Sequence, residues 1–156
     1  MNNSRLIQLL RTFSSKEKRN CRLWLGCRMH NQRQDVCDLY DFLFEMALKE
    51  QYLTKSLAWG GIYSKENYND GKMRQIMHKL LIGVEDFLAY MQMQKKEGEH
   101  TILLLESLRE RKLLTVLDKS IKTTKSLTQK NSLHNWESLR FNYELETLQF
   151  NSSDEQ

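Results

Sequence analysis

The chain has 156 residues, with 24 lysines and arginines against 20 acidic residues and a formal net charge of +4; a length of that order fits one domain with a good-sized core. Proline is absent, although average usage of about 5% would supply roughly eight, and the abundant Leu, Lys, Glu, Gln, Arg and Met lose little rotamer freedom in a helix. This composition predicts long helices, and period-two alternation bounded by turn residues, the mark of a sheet, occurs over no useful length.

Leu6, Ile7, Leu9, Leu10 and Phe13 fall on one face of a first short helix, capped by Asn3 or Ser4. Ser14-Ser15-Lys16-Glu17 then has the spacing of a capping box, in which a serine oxygen takes an orphan backbone N–H and the glutamate reaches back to the serine N–H. The helix it opens carries Cys21, Leu23, Trp24, Leu25 and Cys27, and the polar run His30 to Gln34 reads as the loop that follows. Val36, Leu39, Tyr40, Leu43, Phe44, Ala47 and Leu48 match the i, i+3, i+4, i+7 template and predict a helix over 34–50 with an acidic opposite face. Leu53 to Leu57 predicts another short helix that ends at Trp59-Gly60-Gly61, and 64–71 is turn-like. From Asp70 as N-cap, Met73, Ile76, Met77, Leu80, Leu81, Val84, Phe87, Leu88 and Met91 keep helical spacing for six turns, which predicts a central helix.

A break at Lys96-Glu97-Gly98-Glu99 precedes three helical stretches, approximately 100–111, 113–130 and 132–150, the last carrying Trp136, Leu139, Tyr143, Leu148 and Phe150. The expected fold class is therefore all-α, an irregular bundle of about seven or eight helices whose C-terminal end grades into a short helical-hairpin array. One domain is expected over 1–150, with sub-regions 1–95 and 99–150, followed by a polar tail at 151–156.

Apolar runs extend over only a few residues, as at Ile102 to Leu105, far short of the roughly 20 residues that cross a bilayer. Met1-Asn2-Asn3-Ser4-Arg5 leads into an amphipathic pattern in place of the apolar core of a secretory signal. A cytoplasmic protein without a membrane association is expected. Cys21, Cys27 and Cys37 are too few and odd in number for a disulfide framework and read as reduced, mostly buried thiols.

The signatures of phosphate loops, nucleophile elbows, dinucleotide folds, zincins and EF-hands are absent from the sequence. Cys27, His30 and Cys37 offer three zinc-type ligands without the second half that a structural site needs, and ordinary packing is the better reading. Glu85 and Asp86 are adjacent on one helix, so their side chains point about 100° apart and do not share a proton. The expectation is a non-enzymatic protein with no catalytic residue, cofactor or metal. Met73, Met77, Met91 and Met93 suit either a core or an adaptable groove for a partner helix.

Charge is the most informative asymmetry. Arg5, Arg11, Lys16, Lys18, Arg19, Arg22, Arg28 and Arg33 face a single acid, Glu17, in residues 1–33, whereas Asp35, Asp38, Asp41, Glu45 and Glu50 dominate 34–60. Two readings follow. Neighbouring helices of opposite sign pair with each other, through surface ion pairs worth about 0 to 1 kcal/mol each, or the eight cations form a contact surface for a partner or for nucleic-acid phosphates. Lys55 on a short helix, followed by Lys72, Arg74 and Lys79 on a longer one, resembles a helix-turn-helix reader, although the connection between them is long.

The run Leu10-Arg11-Thr12-Phe13-Ser14-Ser15-Lys16-Glu17 resembles the opening of a group of uncharacterised all-helical proteins of Bacteroidetes-type bacteria. Tyr68-Asn69-Asp70, Met73-Arg74, Leu80-Leu81 and Glu85-Asp86-Phe87-Leu88 are similar to the group's central helix, and Leu108-Arg109-Glu110-Arg111 to its next one. The chain departs from the group in lacking a proline near Tyr63 to Tyr68. The resemblance implies a bacterial helical protein that forms an N-terminal part of a longer array, and it carries no activity. Another protein is the expected partner, with nucleic-acid binding through the basic N-terminal helices as the alternative.

Overall fold

The computed structural model describes residues 4–48, 53–130 and 136–153. Several expectations fall outside the described residues: Asn3 as a cap, Glu50 and the end of the helix expected over 34–50, the start of the last helix at 132–135, the end of the tail at 154–156, and the side chains of Ala47, Leu48 and Trp136. Among the described residues there are eight α-helices and no strand, so the chain is all-α with irregular bundle packing. It divides into two compact units, 1–90 and 91–156.

The first unit begins with α1 (Arg5–Arg11), for which the Ser4 side chain accepts from the Ile7 N–H. After Phe13 comes α2 (Ser15–Gly26), opened by the expected capping box: Ser14 Oγ accepts from the Glu17 N–H at 3.3 Å and the Ser14 N–H donates to Glu17 Oε2 at 2.8 Å. Such a cap is worth about 1 kcal/mol. Cys21 and Leu25, one turn apart, are the buried face of α2. The next helix, α3 (Gln34–Leu48), buries Val36, Leu39, Tyr40 and Leu43.

Thr54 caps α4 (Lys55–Ile62), its hydroxyl accepting from the Leu57 N–H at 3.1 Å. The Gly60-Gly61 pair does not end this helix, which continues to Ile62. Gly61 instead permits close packing on α3, since a Cβ there would overlap the Phe42 ring. The long helix α5 (Asp70–Gln94) is capped one residue earlier than expected: Asn69 Oδ1 accepts from the Lys72 N–H at 2.9 Å, and Asp70 occupies the first helical turn. Met73, Ile76, Leu80, Val84 and Phe87 are buried at spacings of three and four and form one strip along α5. Met77, Leu81 and Leu88, on the shoulders of that strip, are half-buried, as are Met91 and Met93. Gly83 lets Leu25 approach this helix closely, because a Cβ would stand 2.6 Å from Leu25 Cδ2.

In the second unit α6 (Glu97–Glu110), α7 (Leu114–Lys130) and α8 (Trp136–Ser153) each pack on the other two. Their common core is Ile102, Leu105, Leu117, Ile121, Leu145 and Leu148, flanked by Leu108, Leu114 and Phe141. The expected break at 96–99 is shorter than its composition suggests: Gly98 lies inside α6, where a Cβ would stand 3.1 Å from the Phe141 ring. At its other end α8 continues to Ser153, into the segment read as a polar tail. The α6–α7 corner is a Schellman motif, with the Leu113 N–H bonded to Leu108 O at 3.0 Å and the Lys112 N–H to Arg109 O at 2.8 Å. Lys112 holds the left-handed position, φ 56°, which glycine ordinarily takes.

Two pairs of outcomes test this packing by urea unfolding. Gly61→Ala should destabilise by about 1 to 3 kcal/mol, because overpacking against Phe42 outweighs the gain in helix propensity. Gly60→Ala, where a Cβ meets nothing within 4 Å, should stabilise by about 0.5 to 1 kcal/mol. Lys112→Gly should raise the stability of the second unit by about 0.5 to 1 kcal/mol by relieving the left-handed backbone, whereas Lys112→Ala should give no such gain.

Candidate interaction surfaces

The eight basic residues of the N-terminal segment separate into three groups. Arg22 of α2 reaches Asp41 of α3, its Nε donating to both carboxylate oxygens at 2.7 and 2.8 Å. Arg33 forms a fork on Asp35, with Nε to Oδ1 at 3.0 Å and a terminal nitrogen to Oδ2 at 2.7 Å, and Arg5 pairs with Glu85 of α5 at 2.8 Å. Hydrogen bonding to these carboxylates raises the pKa of Arg22 and Arg33 further. Lys18 places its ammonium 4.9 Å from the centre of the Phe44 ring. Arg11, Lys16, Arg19 and Arg28 are exposed and make no ion pair among the described residues. The charge reversal between 1–33 and 34–60 is thus internal pairing for Arg22 and Arg33, and open cationic surface for these four.

The acid that anchors Arg33 also receives the Tyr63 hydroxyl. Asp35 is held below its ordinary value first by Arg33 and then by Tyr63, against the opposing effect of burial. Around it, Trp59 Nε1 donates to Glu66 O at 3.1 Å, and the Lys72 ammonium lies 3.8 Å from the Tyr63 ring centre and 3.1 Å from Glu66. Asp70 accepts from the Tyr68 hydroxyl at 2.8 Å and from Lys55 at 3.1 Å, and pairs with Arg74. Of the cations that gave α4 and α5 the look of a nucleic-acid reader, Lys55, Lys72 and Arg74 are engaged locally and Lys79 is exposed, while Met73, Ile76 and Leu80 face the core. Seven residues, 63–69, separate the two helices.

The cysteines and His30 do not converge. Cys37 is buried, with its Sγ donating to Leu25 O at 3.3 Å; Cys27 is exposed; the His30 ring stacks on Trp24 at 3.5 Å. Burial pushes the Cys37 thiol up and the Cys21 thiol to about 11, which keeps both protonated. Among the described residues no group of three His, Cys, Asp or Glu side chains is placed to hold a metal ion. No helix among them is long and apolar enough to cross a membrane.

The second unit contains a surface that the charge pattern did not mark. Between α6 and α8 runs a groove of about 420 Å³ with Ile102 and Leu148 as its floor, Leu103 and Tyr143 on its walls, and Glu99, Glu106, Glu144, Arg109 and Arg140 around it. Leu103 is 51% exposed and Tyr143 72%. Arg140 is tied to Glu144 at 2.8 Å and Glu99 to Lys96 at 2.7 Å, so part of the charged rim is already paired. The one sequence signal for this groove is the run Ile102 to Leu105, whose four consecutive apolar residues point in four directions around a helix and cannot all enter one core.

No protein-family model, curated protein or solved structure matches the chain.

The Asp70 cluster yields a pH prediction. Tyr68 and Lys55 lower the Asp70 carboxyl from its ordinary 3.8 to about 2, so its contribution to stability is present above 3.8 and is lost as the pH falls through 2. An NMR titration should place the Asp70 midpoint near 2, and Tyr68→Phe should move it upward toward 3.8.

Proposed function

We propose that the chain is a non-enzymatic helical domain that binds another protein and accepts an amphipathic helix of that partner in the α6–α8 groove. The observation that carries this reading is the groove's composition, an apolar floor between exposed Leu103 and Tyr143 with charges of both signs at the edge. A helix-in-groove contact requires that combination: apolar anchors at i, i+3, i+4 and i+7 enter the floor, and polar residues meet the rim. Aromatic side chains such as Tyr143 supply large contact area at low cost in side-chain entropy. Elsewhere on α8, Leu139 and Phe150 are 60% and 68% exposed.

The test is affinity capture from native extract with the intact chain and with a Leu103→Glu, Tyr143→Glu variant, whose substitutions are exposed and should leave the helical circular dichroism unchanged. The intact chain should retain a defined protein that the variant loses by at least tenfold, the factor corresponding to about 1.4 kcal/mol. Retention of the same protein by the variant, or capture of nucleic acid alone, would contradict the proposal.

A further inference from the structure

A second surface lies in the first unit and is independent of the groove. Lys16, Arg19 and Leu23 stand at i, i+3 and i+7 on α2, in one line on the side away from the buried Cys21 and Leu25. Beyond the end of α2 at Gly26, Arg28 and Met29 follow in the chain, also exposed. Leu23 is 69% exposed and Met29 89%. Lys16, Arg19 and Arg28 make no ion pair among the described residues, whereas Arg22, Arg33 and Arg5 are joined to Asp41, Asp35 and Glu85. Glu17, the single acid of residues 1–33, is bonded to the Ser14 N–H and hydroxyl at the start of the helix.

We infer that this face of α2, together with the exposed Arg28 and Met29 just after it, is a docking site for an acidic amphipathic segment of a partner protein, one that sets apolar side chains on Leu23 and Met29 and carboxylates opposite Lys16, Arg19 and Arg28. Charge complementarity selects the acid. The two apolar residues select a protein segment over a nucleic acid, because a phosphate backbone offers Leu23 and Met29 no apolar surface and leaves them against charge. At 1.5 Å per residue the 12 residues of α2 extend about 18 Å, the length of about three turns of a bound helix. A contact of that size belongs with transient interactions, fast to form and steeply dependent on salt.

The probe is a fluorescein-labelled 15-residue peptide of alternating acidic and leucine-phenylalanine turns, measured by anisotropy against the intact chain at low and high salt. Its partners in the experiment are the same peptide with every Asp and Glu replaced by Asn and Gln, and a 20-base-pair DNA duplex. The acidic peptide should bind at low salt and weaken as salt is raised. Lys16→Glu with Arg19→Glu should cost about tenfold or more, Leu23→Ser about tenfold, and the Leu103→Glu, Tyr143→Glu variant of the groove should bind it unchanged. Absence of binding at low salt, equal binding of the neutral peptide, or indifference to Leu23→Ser would overturn the inference. So would binding of the DNA duplex in preference to the peptide, weakened by the charge reversals alone, which assigns the surface to nucleic acid.

Discussion

The apolar strip on α5 determines how the first unit is arranged. Met73, Ile76, Leu80, Val84 and Phe87 run along one side of that helix and are all but fully buried. Leu25 of α2 packs close over Gly83, and Phe13 and Trp24 lie 6.0 and 6.3 Å from the Phe87 ring. Burying five large side chains contributes about 1.5 to 3 kcal/mol each before entropy is counted, far more than any surface ion pair in the same unit. Hydrophobic burial therefore decides which side of α2 turns inward, and electrostatics follows. Once Cys21 and Leu25 are inside, Arg22 is carried to the boundary with α3 and meets Asp41, while Lys16, Arg19 and Leu23 are carried outward.

Core packing likewise leaves the second unit its open groove. Phe141, Leu145 and Leu148 occupy one side of α8 and contribute to the three-helix core, yet Leu139, Tyr143 and Phe150 occupy the other side and remain exposed. Scattered exposed apolar residues are normal on proteins; of these three, Tyr143 lines the groove. The two surfaces differ in chemistry. The groove combines an apolar floor with a partly neutralised rim, and α2 with the residues just after it presents Lys16, Arg19 and Arg28 beside exposed Leu23 and Met29.

Much of the fold was legible because it is written in local patterns. The Ser14–Glu17 box and the stripe of α3 are decided within a few residues of sequence, and both helices start where their patterns place them. Cues that depend on tertiary packing misled. Gly60, Gly61 and Gly98 read as breaks, although the last two permit close helix contacts with Phe42 and Phe141. Leu23, Trp24 and Leu25 are consecutive apolar residues of α2 that span about 200° of the helix, and composition does not say that only Leu25 is fully buried. Composition alone also could not separate paired from open arginines, because Arg22 and Asp41 are 19 positions apart and meet only after α2 and α3 have packed. The apolar residues on both sides of α8 blur its periodicity and hide the groove.

Core packing sorts the basic residues into engaged and open sets, and side-chain chemistry reads that sorting directly. Limited modification of the intact chain with phenylglyoxal, followed by mass spectrometry at each arginine, compares Arg11, Arg19 and Arg28 with Arg22 and Arg33. The first three should react severalfold faster, because the last two are held in hydrogen-bonded carboxylate pairs. Equal rates across the five, or protection of Arg19, would contradict it.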